Sequence, residues 1–172
     1  MGLQQEIGYV VKRANTVQRA LQRFAAIPAL SPTLSRMVTP VDRVVHRASG
    51  GRSSAMGVLV AFPAILLATV GARTGETRTT PLAAIPSGDD LAVIASNAGS
   101  GKLPGWAHNL RANPAATMTY EDQVVAVVAG EAEGSEYDSV FAAATRIYPG
   151  YAGYRERADY EIPVFVLTSR PD

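Results

Sequence analysis

The sequence is most informative over three consecutive segments: Pro63-Ala-Ile-Leu-Leu-Ala-Thr-Val70, Gly71-Ala-Arg-Thr-Gly-Glu76 and Thr77-Arg-Thr-Thr-Pro-Leu-Ala-Ala-Ile85. The apolar and β-branched residues of the outer two predict a strand, a tight turn and a returning strand. Arg73 and Arg78 stand on either side of Gly75. Glycine lets backbone N–H groups approach a ligand, and guanidinium groups bind phosphate through paired hydrogen bonds. The turn is therefore either an anion-binding loop or a solvated hairpin tip.

Outside this hairpin the pattern predicts short strands, turns and a few helices. Four further strands are predicted over 91–96, 115–120, 124–132 and 162–168, and two helices over 104–113 and 135–148. Ser135-Glu-Tyr-Asp138 is interpreted as a capping box, and Pro149 is expected to end the second helix before a short helical turn. Hairpins with inserted helices favour an α+β fold, a six-stranded and mostly antiparallel β-barrel, over an alternating βαβ fold.

The 172 residues are expected to form one barrel domain over 55–172, preceded by a helical leader and linker over 1–54. Residues 1–55 carry eight Lys or Arg and two acidic residues, so a net charge of +6 is balanced by −5 elsewhere. Apolar residues recur at helical spacing from Ile7 to Phe24. This basic amphipathic helix is expected either to touch an anionic membrane surface or to dock on the barrel or on a second subunit of a homodimer. Nucleic acid is a disfavoured partner, because no basic patch is interleaved with aromatic residues.

The composition restricts the chemistry. There is no cysteine, and His46 and His108 are the only histidines, which excludes disulfides and thiolate sites and disfavours a metal site. Any redox chemistry is therefore expected to need an organic cofactor. The N-terminus has no signal-peptide layout, and the longest apolar run, 56–70, is interrupted by Pro63. These features predict a cytoplasmic protein.

Several further residues are candidates on their type and position. Ser96 stands where the third strand opens into the glycine-rich segment Asn97-Ala-Gly-Ser-Gly-Lys102, and Trp106 and Asn109 share a helix face. Ser96 is either a ligand of a bound ring or an edge hydroxyl, and Trp106 is either a cofactor neighbour or a core residue.

Three tyrosines, Tyr148, Tyr151 and Tyr154, recur every three residues and would project from one side of a helical segment. They either pack as half-buried aromatics or present phenols to a substrate. A lone histidine such as His108 is more often packed or solvated than catalytic.

Five ordered segments resemble the deazaflavin-dependent nitroreductase family over about residues 60 to 168. They are Leu66–Leu82, Ser96-Asn-Ala-Gly99, Pro104–Pro114, Tyr148-Pro-Gly-Tyr-Ala-Gly-Tyr154 and Asp159–Val166. The resemblance implies a split β-barrel that uses coenzyme F-420, a deazaflavin bearing a phosphodiester and an acidic oligoglutamate tail, with FMN as the less favoured cofactor. It also implies reduction of quinones, nitroaromatics or enones, and in some members membrane association through the N-terminal segment.

The resemblance assigns roles to the candidates. Cofactor binding is expected from three groups of residues: Arg73, Thr74, Gly75 and Arg78 at the phosphate, Ser96, Asn97 and Ala98 at the ring edge, and Lys102 at the acidic tail. Trp106 falls on a position beside the cofactor, and Asn109 on one that faces the phosphate. The catalytic residues are expected to be Tyr151 first, then Tyr154, together with Tyr148 and Ser96, and no metal is expected.

The sequence also departs from the family pattern. Ala72 and Asn97 stand where relatives often carry basic residues, and Ala107 stands where an aromatic is frequent. The tyrosines favour a reductase that passes a hydride from reduced coenzyme F-420 to a hydrophobic, electron-poor acceptor. The missing basic residues favour the alternative, a non-catalytic barrel that binds deazaflavin, haem or a lipid-like ligand.

Overall fold

The computed structural model describes residues 2–10 and 64–170. Its strands are β1 (Ala64–Val70), β2 (Thr77–Ala83), β3 (Ile85–Ser87), β4 (Asp90–Ile94), β5 (Ala115–Tyr120), β6 (Gln123–Glu131) and β7 (Val164–Ser169). Its helices are α1 (Leu3–Glu6), α2 (Gly105–Ala112), α3 (Gly134–Ile147) and α4 (Gly150–Arg157), with a 3-10 turn at Asn97–Gly99.

All seven strands form one antiparallel sheet in the order β2-β1-β5-β6-β7-β4-β3. The two edge strands, β2 and β3, lie at opposite ends of that order, yet Ala84 alone separates them in the chain. The sheet must therefore curl until its edges meet, which makes it a partly closed barrel. The antiparallel α+β fold is confirmed.

The expected count of six strands is wrong, because β3 is a separate strand. The pattern of residues 77–85 predicts one strand, but the chain leaves β2 at Ala83 and pairs again, with β4, from Ile85 onward. Pro86 lies inside β3, and a proline is tolerated there because β3 is an edge strand.

The sheet buries side chains on two faces. The inner face supplies a barrel core of alternating residues, among them Leu67, Val93 and Met118. On the outer face of β4 and β7, Ile94 and Val164 belong to a second apolar cluster that includes Val140 and Phe141 of α3. After Asp90 the sequence of β4 is therefore continuously apolar, because both faces of the strand are buried.

The N-terminal residues close one end of the barrel. Leu3 is fully buried, and the hydroxyl of Tyr9 donates a 2.7 Å hydrogen bond to the carbonyl oxygen of Ala84, with its ring beside Tyr120. The helix here ends at Glu6, and most of the amphipathic helix expected over 7–24 lies outside the described residues. Residues 7–10 are not helical, so the expected start of that helix is wrong, whereas its residues 11–24 and the boundary near residue 55 are not tested.

The capping box expected at Ser135 is wrong. The N-cap of α3 is Glu133, and no side chain caps the helix. Gly134 has φ +55°, a left-handed conformation that glycine adopts without strain, so the chain turns into the helix through this residue.

Candidate functional site

The topology brings two loops to one end of the barrel. In the sheet, β1 is separated from β4 by β5, β6 and β7. The four pairings that connect β1 to β4 are all antiparallel, and an even number of reversals restores the original direction. β1 and β4 therefore point in the same direction. The segment after Val70 and the segment after Ile94 thus lie at the same end, which we call the loop end. The N-terminal residues close the opposite end.

The first loop, residues 71–76, is a compact turn. The N–H of Gly71 donates to the carbonyl of Glu76, and the N–H of Gly75 donates to the carbonyl of Gly71, both at 2.8 Å. Gly75 has φ +69°, which favours glycine, and a Cβ on Gly71 would lie 2.7 Å from Oγ1 of Thr74. Both glycines are therefore required by the turn.

The two arginines of this loop differ in their surroundings. Arg73 is exposed, and its side chain has no ion-pair partner among residues 2–10 and 64–170. Arg78, opposite Thr69 in the β1–β2 register, donates a 3.3 Å hydrogen bond to Glu76. Because both side chains of that pair are largely exposed, the contact is weak. Arg73 is thus the unneutralised charge of the loop.

Asn109 connects α2 to the loop. Its Nδ2 donates to Oγ1 of Thr69, and its Oδ1 accepts the N–H of Ala72, both at 3.0 Å. Thr69 is fully buried. Asn109 therefore uses both ends of its amide to hold the loop, rather than projecting the whole side chain towards a ligand.

The rest of α2 packs inward. Trp106 is 7% exposed and lies edge-on to Phe165, with the ring centroids 5.8 Å apart, inside the barrel core. Arg111 forms a bidentate pair with Glu131, at 2.9 and 2.6 Å, and these hydrogen bonds lower the pKa of the Glu131 carboxyl. His108 is exposed.

Ser96 is a buried polar residue at the start of the second loop. Its side chain is 7% exposed, and its hydroxyl makes no hydrogen bond within the described part of the chain. Its carbonyl accepts the N–H of Gly99 at 2.8 Å and so closes the 3-10 turn that contains Asn97 and Ala98. Nδ2 of Asn97 donates to the carbonyl of Lys102, whose side chain is exposed.

The three tyrosines form a contiguous cluster. Ring centroids are 6.0 Å apart for Tyr148 and Tyr151, 6.2 Å for Tyr148 and Tyr154, and 5.6 Å for Tyr151 and Tyr154. Burial raises the pKa of the Tyr151 and Tyr154 phenols, and a hydrogen bond with Tyr148 raises that of Tyr154 further. The phenols of Tyr151 and Tyr154 therefore keep their protons at neutral pH.

Helix α4 carries this cluster onto the second loop. A Cβ on Gly99 would lie 2.6 Å from the Tyr154 ring, so only glycine allows this approach. Tyr154 is partly exposed, whereas Tyr151 is enclosed against Phe141. Trp106 belongs to the inner core and the tyrosines to the outer one, and of these residues it is Tyr154 that contacts the 3-10 turn in the described part of the chain.

Arg157 also belongs to this region, although it is not among the residues that the sequence predicts for the site. The guanidinium carbon of Arg157 lies 5.6 Å from the centroid of the Tyr154 ring. The spacing of three residues on a helix is the signal that indicates such a contact.

The residues of the loop end fit an anionic, ring-shaped cofactor. Among residues 2–10 and 64–170, Arg73 has no carboxylate partner and the buried hydroxyl of Ser96 has no hydrogen-bond partner. A buried hydroxyl is costly unless another group completes its hydrogen bond. In the described part of the chain, no three His, Cys, Asp or Glu residues cluster as a metal site would require. Nor does any described helix have the length and apolar character needed to cross a membrane.

Comparison with known proteins agrees with this chemistry. The family model described as F420H(2)-dependent quinone reductase matches residues 40–169. An F420H(2)-dependent quinone reductase of Mycobacterium tuberculosis H37Rv is 34% identical over 133 residues, which cover 74% of this chain and 81% of the relative.

Among solved structures, an F420-H2 dependent reductase, FDR-A, is 36% identical with a TM-score of 0.57, covering 61% of this chain and 93% of that one. A structure described as a domain-swapped dimer is 33% identical with a TM-score of 0.58. The match covers 75% of this chain and 99% of that one. The haem storage protein HutZ of Vibrio cholerae shares the fold alone. It is 17% identical with a TM-score of 0.51, and the match covers 64% of this chain and 83% of that one.

Proposed function

Because the chain belongs to the F420H(2)-dependent quinone reductase family, we propose that it reduces a hydrophobic, electron-poor acceptor at the loop end of the barrel. A quinone is the first candidate acceptor, and nitroaromatics and enones are the others. Bound reduced coenzyme F-420 supplies the hydride for this reaction. The observation that carries the proposal is the common direction of β1 and β4, which joins an anion-binding loop, a buried hydroxyl and a tyrosine cluster at one end.

In this proposal the first loop binds the cofactor phosphate. The guanidinium of Arg73 and the nearby backbone amides of the turn are the primary donors, and Arg78 and Thr74 support them. Asn109 acts as a positioning residue, because its amide is committed to Thr69 and Ala72. Lys102 is exposed and can reach the acidic tail.

The second loop is proposed to hold the ring edge. The hydroxyl of Ser96 and the amides of Asn97 and Ala98 would donate to polar atoms of the ring and stabilise negative charge there. Trp106 is proposed to lie beneath the cofactor as part of the barrel core, where its ring packs on Phe165.

The tyrosines are proposed to face the acceptor, with Tyr154 as the first candidate proton donor. Partial exposure and contact with the 3-10 turn support Tyr154, while the enclosure of Tyr151 supports a packing role. Tyr148 is hydrogen-bonded to Tyr154, and in this proposal it passes a proton from water back to the Tyr154 phenolate after the donation. Water exclusion by the three rings would protect the reaction from side reactions.

The test is a direct assay. Purified protein is mixed with prereduced coenzyme F-420 and a naphthoquinone, and the return of deazaflavin absorbance is followed, with reduced FMN as the comparison. Turnover with deazaflavin and little or none with FMN is expected. If deazaflavin binds and no acceptor is reduced, the non-catalytic alternative is correct.

We also propose a homodimer, supported by the likeness to a structure described as a domain-swapped dimer. Light scattering of the full chain measures its mass in solution. A mass of one chain at assay concentrations would contradict this.

A further inference from the structure

Arg157 occupies a prepared position beside the tyrosine cluster. Its guanidinium carbon lies 5.6 Å from the Tyr154 ring centroid. A Cβ on Gly153 would lie 2.8 Å from its Nη1, and a Cβ on Gly99 would lie 3.3 Å from its Nη2. Two positions without side chains, one on α4 and one on the 3-10 turn, therefore leave the space that this guanidinium fills.

The charge of Arg157 is not neutralised by a carboxylate among the described residues. Arg155, two residues earlier on the same helix, provides the contrast. It lies over the rings of Tyr137 and Phe141, at 5.3 and 5.4 Å, and forms a 3.1 Å ion pair with Asp138. Arg155 thus fastens α4 to α3, whereas Arg157 points its charge to the other side, towards the second loop.

We propose that Arg157 is the acceptor-side cation of the site, where it stabilises negative charge on an oxygen of the acceptor and holds the Tyr154 ring in place. This inference rests on the proposed reductase function and adds to it a residue that determines preference among acceptors. The ligand group it recognises is an anionic oxygen.

The reaction places a negative charge on the acceptor, and a nearby positive charge stabilises it. A quinone that gains a hydride takes up two electrons and one proton, while the donor is oxidised by the same two electrons. The reduced quinone is then a monoanion until a second proton arrives, from the Tyr154 phenol or from water. A fixed guanidinium beside that phenol stabilises the anion before protonation. The same charge opposes the rise in the pKa of Tyr154 that burial causes, and so favours proton release.

Binding of a charged probe tests the inference without turnover. A hydroxynaphthoquinone, an anion at neutral pH, and the uncharged naphthoquinone of similar size are titrated against protein saturated with oxidised coenzyme F-420. Arg157→Gln is expected to weaken binding of the anionic probe about twofold to fivefold, the upper part of the range for an exposed charge contact, and to leave the neutral probe unchanged. Arg155→Gln is the matched control and should affect neither.

A second variant tests the position of the guanidinium rather than its presence. Gly153→Ala adds a methyl group where Nη1 of Arg157 lies, and alanine is favourable in a helix, so folding should be kept or improved. This variant should reproduce part of the loss seen with Arg157→Gln, and Arg157→Lys should restore part of the binding.

The outcomes separate the inference from the function on which it rests. Failure of the wild-type protein to bind coenzyme F-420 or to reduce a quinone would contradict the proposed function itself. If the wild type is active and Arg157→Gln binds both probes normally, only the role of Arg157 is wrong. Weaker binding of coenzyme F-420, but not of its tailless deazaflavin core, with both probes unaffected, would show that Arg157 contacts the cofactor tail instead, and would also overturn the inference.

Discussion

Asn109→Asp tests whether the first loop binds an anion. The change preserves the size of the side chain, and a carboxylate can still accept the N–H of Ala72 and the hydroxyl proton of Thr69 in place of the present contacts at 3.0 Å. The free energy of unfolding should therefore change by less than about 1 kcal/mol. The electrostatic environment of the loop, in contrast, changes by a full negative charge.

The size of the effect follows from the position of Asn109. A phosphate held by the neighbouring amides would lie roughly 6 Å from the new carboxylate, and at an effective dielectric constant of about 40 the repulsion is about 1.4 kcal/mol. That energy corresponds to about tenfold weaker binding. Added salt should recover part of the loss, because the loop is exposed.

Calorimetric titration with coenzyme F-420 and with its tailless, phosphate-free deazaflavin core measures the effect. Only the phosphate-bearing cofactor should bind more weakly. Asn113→Asp is the control, because Asn113 lies one helical turn further and its Oδ1 accepts the N–H of Ala115. Equal losses in both variants, or an equal loss for both ligands, would refute the reasoning.

Three further predictions concern other parts of the molecule. Arg73→Ala should weaken coenzyme F-420 binding more than FMN binding, most clearly at low salt, and unchanged titration curves would contradict the loop assignment. Tyr154→Phe should lower the single-turnover rate by about 10²–10⁴-fold if its phenol donates the proton, while Tyr151→Phe stays near the wild type; the reverse order would restore Tyr151 as the donor. Leu3→Ala should lower the free energy of unfolding by about 2–5 kcal/mol, because Leu3 is fully buried, and an unchanged Tm would show that the N-terminal segment is dispensable.

The sequence predicts the local elements well and their assembly less well. The β1–β2 hairpin follows from two β-branched runs around a glycine turn, and the antiparallel pairing of its two strands is confirmed. β3 was missed because three residues that include Pro86 carry almost no periodic signal. The sheet order could not be predicted either, since the pairing of β1 with β5 joins residues far apart in the chain.

In the candidate site, too, residue types could be predicted from the sequence, whereas contacts between elements could not. Arg73 and Ser96 are recognisable from residue type and from their place after strands. The hydrogen bond from the Asn109 amide to Thr69 cannot be recognised in this way, because it depends on how α2 crosses β1. The burial of Leu3 against the barrel was hidden for a related reason: charge and composition set the N-terminal residues apart from the domain that they help to close.

The single residue Ala84 between the two edge strands has a consequence for local unfolding. Edge strands of an open sheet usually fray independently of each other. Here a separation of β2 from β1 displaces Ala84. That displacement disturbs both β3, which follows directly, and the hydrogen bond from the Tyr9 hydroxyl to the Ala84 carbonyl. The backbone amides of β2 and β3 should therefore exchange with solvent deuterium through one shared opening event, rather than through two independent ones.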